Sequence, residues 1–191
     1  MIWIGLALAG GPETWETVKT TGGCEYRLGP VEDDGNRLLW TRCTWPEADA
    51  EQVDALIAAY GDHDATWASI ATCEEVERTE ELVRVRHVHD LPGVSDREIE
   101  LTWTWTTEDD GATRHSWVRS PEQPEVDASR VNPLRDEGWY LVRAGDTGVI
   151  VDALMVYDPG GNIPGWLTHA TQVSTADFMM QELREAAVTA P

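Results

Sequence analysis

The sequence predicts an α+β domain in which one curved antiparallel sheet of about nine strands wraps around a long C-terminal helix. Three observations predict it: strict period-two alternation from Arg97 to Thr107, an apolar stripe at three- and four-residue steps from Trp166 to Ala187, and no repeat or linker that divides the chain. At 191 residues the chain fits one domain, whose core can bury roughly 70% of the surface of the unfolded chain.

The elements follow in order. Short strands are expected over Trp15 to Thr20 and Cys24 to Pro30, broken by Gly22-Gly23, and a third over Asn36 to Trp45 after the acidic turn Glu32-Asp33-Asp34-Gly35. Cys24 and Cys43 lie at equal distances from that turn, so a symmetric hairpin sets them opposite each other. Either a disulfide or two small buried thiols fits this arrangement. Asp49 is placed to cap a helix running to Tyr60, with Val53, Leu56, Ile57 and Tyr60 at helical spacing, and a second short helical turn is expected to carry Trp67 and Ile70.

Strands over Ala71 to Arg78 and Leu82 to His89 come next, then the break Pro92-Gly93. From Arg97 to Thr107, Ile99, Leu101, Trp103 and Trp105 share one face while Glu98, Glu100 and three threonines share the other, the mark of a half-buried strand. Thr113 to Arg119 returns antiparallel, Ser120 to Asp127 reads as an exposed loop, and Glu137 to Arg143 with Val149 to Tyr157 forms a last hairpin. Val149, Val151, Ala153 and Met155 point one way along its second strand. The helix from Ile163 to about Ala187 closes the chain, about 35 Å long at 1.5 Å per residue.

Composition excludes some functions. With 14 basic against 35 acidic residues and a net charge of -21, the chain lacks the Lys and Arg that neutralise phosphates, so no nucleic acid is expected as a partner. The same charge opposes lasting adsorption to anionic bilayers and leaves only transient membrane contact. A monomer is expected. The start, Met1 to Gly10, is apolar and closes with a small-residue pattern, Ala7-Leu8-Ala9, like that before a signal-peptidase site, though without a basic leader region, so residues 1–12 read as a signal-peptide remnant. Export to the periplasm is preferred to a cytoplasmic location. A flexible N-terminus, a segment packed on the sheet, or a start codon assigned too far downstream are the alternatives, and residues 13–189 form the single domain.

Several segments then resemble the START family of lipid-transfer domains, whose order of strands, two short helices, more strands and one terminal helix is the helix-grip order. Leu91-Pro92-Gly93-Val94-Ser95-Asp96-Arg97-Glu98 is similar to the family's Pro-x-x-x-Ser-Asp-Arg-Asp segment. Gly138-Trp139 and Gly145-Asp146-Thr147-Gly148-Val149 resemble its penultimate hairpin. Asp158-Pro159-Gly160-Gly161-Asn162-Ile163-Pro164-Gly165-Trp166-Leu167 resembles the Asp-Pro-Gly-Gly-x-Ile-Pro-x-Trp-Leu that opens its last helix. Where some members carry a buried Arg, the equivalent position here is Trp103, which implies a drier and more aromatic interior.

The resemblance implies a bacterial-type domain that binds a lipid or other hydrophobic small molecule in a cavity between sheet and helix, without cofactor or metal. The cavity-lining candidates are Ile99, Leu101, Trp103, Trp105, Trp117, Trp139, Leu141, Val151, Met155, Val173 and Met180, each of which plain core packing would also explain. Head-group candidates are His87, His89 and His115, whose spacing also suits zinc. Pro92, Gly93, Gly160, Gly161 and Trp166 would gate the cavity. No nucleophile elbow, phosphate loop, Cys-x-x-Cys pair or dinucleotide fingerprint is present, so no enzyme is expected. Two alternatives stand: a cyclase, dehydratase or hydrolase acting in the same cavity through Asp152, Tyr157, Glu100 or the histidines, and a filled scaffold that binds a protein.

Overall fold

A computed structural model of the chain describes residues 12–90, 95–161, 163 and 165–189, with the side chains at 165–167, 169 and 170 outside the description. Its elements are β1 (Glu16–Thr21), β2 (Cys24–Val31), β3 (Arg37–Trp45), α1 (Ala50–Ala58), α2 (His63–Thr66), β4 (Ile70–Arg78), β5 (Val83–His89), β6 (Asp96–Thr107), β7 (Thr113–Arg119), β8 (Arg130–Val131), β9 (Arg135–Ala144), β10 (Val149–Asp158) and α3 (Gly165–Thr189). The strands form one sheet in the order β1-β2-β3-β10-β9-β7-β6-β5-β4, antiparallel throughout that path, with β8 attached in parallel to β6. This is the predicted sheet and terminal helix. The added strand is β8, whose two residues are too short to show any periodicity in sequence.

Local chemistry sets the turns and caps. Gly22 and Gly23 adopt positive φ between β1 and β2, and a side chain at Gly23 would meet the Thr44 carbonyl oxygen at 2.7 Å, so the turn needs glycine there. Cys24 and Cys43 stand opposite each other in the β2–β3 ladder and are joined by a disulfide. The Asp49 side chain accepts from the N–H groups of Glu51 and Gln52, at 2.8 and 3.2 Å, and starts α1, which buries Val53 and Ile57. Tyr60 falls beyond α1 in a short 3-10 turn, Tyr60–Asp62.

The second helical turn does not carry Trp67 and Ile70 as expected. Trp67 is already extended, its indole N–H donating to the Met179 carbonyl of α3 at 3.1 Å, and Ile70 opens β4 by pairing with His89. Tertiary contacts with α3 and β5 here outweigh a local helical pattern.

The sheet has two distinct faces. The inner face carries the main core, in which Leu39, Val85, Ile99 and Val151 pack with Ala176, Met180, Leu183 and Ala187 of α3. The outer face carries a smaller cluster of Leu38, Trp40, Leu154 and Val156, with Trp15 and Trp139 against it. Charge pairs cover the rest of that face: Asp152 meets Arg42 at 2.6 Å and Arg143 at 3.3 Å, and Glu98 meets Arg130 at 2.6 Å. Trp139 and Leu141, expected inside, are therefore corrected to the outer face. On β9 the inward residues are Gly138, Tyr140 and Val142, since Tyr140 pairs with Ala153 and Val142 with Val151, and an error of one residue in phase moves every side chain of a strand to the other face.

Candidate functional site

Between the inner face and α3 lies a pocket of about 410 Å³. Leu101 and Trp103 of β6, Trp117 of β7 and Met155 of β10 form its sheet side, and Ala176 and Met179 of α3 face them, with Trp67 and Ile70 along one flank. The rings are interleaved. Trp103 and Trp117 have centroids 5.0 Å apart, Trp117 and Tyr140 5.0 Å, and Trp67 and Tyr140 6.4 Å with nearly parallel planes. Trp117 lies flat on β9 because Gly138 is its cross-strand partner, and a Cβ there would press into its six-membered ring at 2.7 Å.

The polar lining includes histidines, Asp136, Tyr140 and Tyr157, and on α3 Thr171, Gln172 and Thr175. His63, His87 and His89 all line the pocket. Burial pushes His63 and His89 down to about 4, and His87 well below the usual imidazole range, so all three are neutral at pH 7. His63 Nε2 donates to the Ile57 carbonyl at 3.0 Å. Asp136 goes the other way: burial raises its carboxyl to about 7, against the lowering effect of the Trp117 N–H that donates to it at 2.7 Å. Burial likewise raises the phenols of Tyr140 and Tyr157 above their ordinary values.

Four polar atoms on these walls have no hydrogen-bond partner among the described residues: His87 Nε2, His89 Nε2, Trp103 Nε1 and Ser69 Oγ. Unpaired polar groups shut away from water are rare in folded proteins and call for an explanation.

Of the eleven expected lining residues, Leu101, Trp103, Trp117 and Met155 border the pocket. Ile99, Val151 and Met180 are fully packed in the core, and Val173 packs against it. Trp105 keeps its expected face but lies 38% exposed near the end of β6, with Tyr60 stacked at 5.8 Å. His87 and His89 border the pocket as a neighbouring pair, their ring centroids 5.7 Å apart. His115 is elsewhere, its Nδ1 2.6 Å from the Tyr60 hydroxyl and its Nε2 2.9 Å from Asp54. Both ring nitrogens are thus occupied, and no group of three metal-ligating side chains occurs among the described residues.

Pro92, Gly93 and the Trp166 side chain lie outside the described residues, as do residues 1–11 and with them the apolar start. Gly160 and Gly161 both have positive φ in the loop before α3, and a Cβ at Gly160 would meet the Asn132 carbonyl at 2.9 Å. Asp152 and Glu100, offered above as catalytic groups, are tied into ion pairs, Glu100 with Arg84 at 3.1 Å. Sequence reasoning missed His63, Trp67, Asp136 and Tyr140. Tyr140 needed the correct phase of β9, for which Gly138 opposite Trp117 was the available signal, and Asp136 needed the strand to start before Glu137 as well.

No family model matches the sequence, and no curated protein matches it. Solved structures do. The STAR-related lipid transfer protein from Xanthomonas axonopodis superposes with a TM-score of 0.80 at 23% identity, over 90% of this chain and 97% of that one. Human STARD10 gives 0.80 at 16% identity, over 93% and 74%, and human StAR-related lipid transfer protein 5 gives 0.81 at 12% identity, over 91% and 86%. The chain has the helix-grip fold of START domains.

Proposed function

We propose that the pocket binds one hydrophobic, lipid-like molecule without forming a covalent bond. The observation that carries this reading is the aromatic and aliphatic space left between the sheet and α3, where a filled core would have left none. Its volume lies within the roughly 300–1,000 Å³ usual for small-molecule sites. The neighbours' names as lipid-transfer proteins support the same reading.

A pocket of about 410 Å³ is large enough for one acyl chain or one fused-ring body. Each buried CH₂ contributes about 0.8 kcal/mol, so a dozen carbons supply roughly 10 kcal/mol of gross driving force.

A second reading rests on Asp136, a pocket carboxyl raised to about 7 by burial and so placed near the range of a general acid or base. In that case the fold would perform a proton transfer on a hydrophobic substrate, which Asp136→Asn would stop without preventing binding.

Native mass spectrometry and organic extraction of the purified protein test the main proposal. A bound lipid, or stoichiometric uptake of added single-chain lipids, is expected. Finding neither a co-purified molecule nor uptake of any neutral, anionic or cationic single-chain lipid would remove it.

A further inference from the structure

We propose that the ligand is uncharged and carries a hydroxyl or carbonyl oxygen, which is held on the wall formed by β4, β5 and β6. This inference rests on the binding reading above and narrows it to a chemical class.

The unpartnered atoms supply the argument. Ser69 directly precedes β4, His87 and His89 stand on β5, and Trp103 stands on β6, so the four orphan polar atoms occupy one wall of three neighbouring strands. A neutral imidazole offers one donor and one acceptor, an indole N–H a donor, and a serine hydroxyl both. Together they suit an oxygen that can accept and donate, and a ligand that supplied one would satisfy groups otherwise left dry at a cost.

Charge excludes the usual lipid anions. Among the described residues, those that border the pocket include no Lys and no Arg, and His63, His87 and His89 are neutral. An ionised carboxylate or phosphate would be taken out of water with no counter-charge, which is among the most costly transfers in a protein interior. It would also share the pocket with Asp136. A cation gains less than the presence of this carboxyl suggests, because Asp136 already accepts from Trp117 and lies on β9, three strands from β5 in the sheet order. A ligand whose charge sought Asp136 would leave the β4–β6 orphans unmet.

The test uses the full chain at pH 8 with three probes of one chain length: dodecanol, dodecanoate and dodecylammonium. Binding is followed by the fluorescence of the pocket tryptophans and confirmed by native mass spectrometry. Dodecanol is expected to bind at least tenfold more tightly than dodecanoate, and that preference should shrink several-fold in a variant carrying His87→Phe and His89→Phe. If that variant fails to fold, the ranking of the three probes on the unaltered protein decides alone. Dodecanoate binding as tightly as dodecanol, or dodecylammonium binding best, overturns the inference while leaving the binding site in place. Binding of none of the three, with no co-purified molecule in the native mass spectrum, overturns both readings together.

Discussion

The indole N–H of Trp117 donates to Oδ1 of Asp136 at 2.7 Å, so the pocket's carboxyl is held by a neutral donor on the neighbouring strand. A neutral donor offsets burial only in part, and the carboxyl is raised from an ordinary 3.8 to about 7. The folded protein therefore keeps a proton that the unfolded chain gives up between about pH 4 and pH 7, and stability falls as pH rises through that window. Asp136→Asn keeps an acceptor for Trp117 and removes the ionisation. The variant should match the parent near pH 4 and exceed it at pH 8, by on the order of 4 kcal/mol at most. The buried histidines titrate alike in both proteins, so the difference between two urea-unfolding series isolates Asp136. A gap that stays constant with pH would show that this carboxyl is ionised in the fold.

Gly138 makes the Trp117 position available. Ala at 138 would drive its methyl against the Trp117 ring and the Leu154 carbonyl oxygen, and β9 is fixed by pairing with both β7 and β10. Overpacking of this kind costs about 1–3 kcal/mol. Gly138→Ala should thus lower the melting temperature by several degrees, at about 2–4 °C per kcal/mol for a chain of this size, and weaken ligand uptake by displacing a pocket ring. Calorimetry and the dodecanol titration measure the two effects.

The Cys24–Cys43 disulfide closes a loop with a sequence separation of 19 residues. In the chain-entropy account such a link stabilises by about 3 kcal/mol. Replacing both cysteines by Ala should lower stability by up to that amount, while β1 to β3 keep their pairing because Tyr26, Leu28 and Leu39 still bury their side chains. Chemical denaturation with and without a reductant separates the cases: the parent should fall to the level of the variant when reduced, and the variant should not respond.

Much of the fold was legible because it rests on patterns that sequence displays directly. The alternation of Ile99, Leu101 and Trp103, the stripe Ala176, Met180, Leu183 and Ala187, and the cap Asp49 each follow from a period or a local hydrogen bond. The pocket was less legible. Core and cavity walls use the same residues, so Ile99 and Leu101, two positions apart on one face, end in solid packing and on the pocket edge respectively. Which of them meets empty space depends on where α3 crosses the sheet, a relation between distant segments that no local period encodes. His63 was hidden for a similar reason, its place in the pocket coming from the tight reversal between α1 and β4. On β9 the sequence sets Trp139 and Leu141 on one face and Tyr140 and Val142 on the other, so residue size alone does not fix the phase. The outer face takes the first pair: Trp139 packs against the Leu38 cluster and takes the Arg114 guanidinium 4.5 Å over its ring.

Two methionines allow the pocket to be tested against the core beside it. Met155 of β10 borders the pocket, whereas Met180 of α3 is 1% exposed in the packed core. Met155→Trp adds a ring where there is open volume, so stability should change by less than about 1 kcal/mol while dodecanol affinity falls at least tenfold. Met180→Trp has nowhere to place the same ring and should cost about 1–3 kcal/mol, with uptake by the folded fraction largely retained. Paired unfolding and binding measurements distinguish the sites. If Met155→Trp destabilises as much as Met180→Trp and leaves binding unchanged, the space beside Met155 holds no ligand.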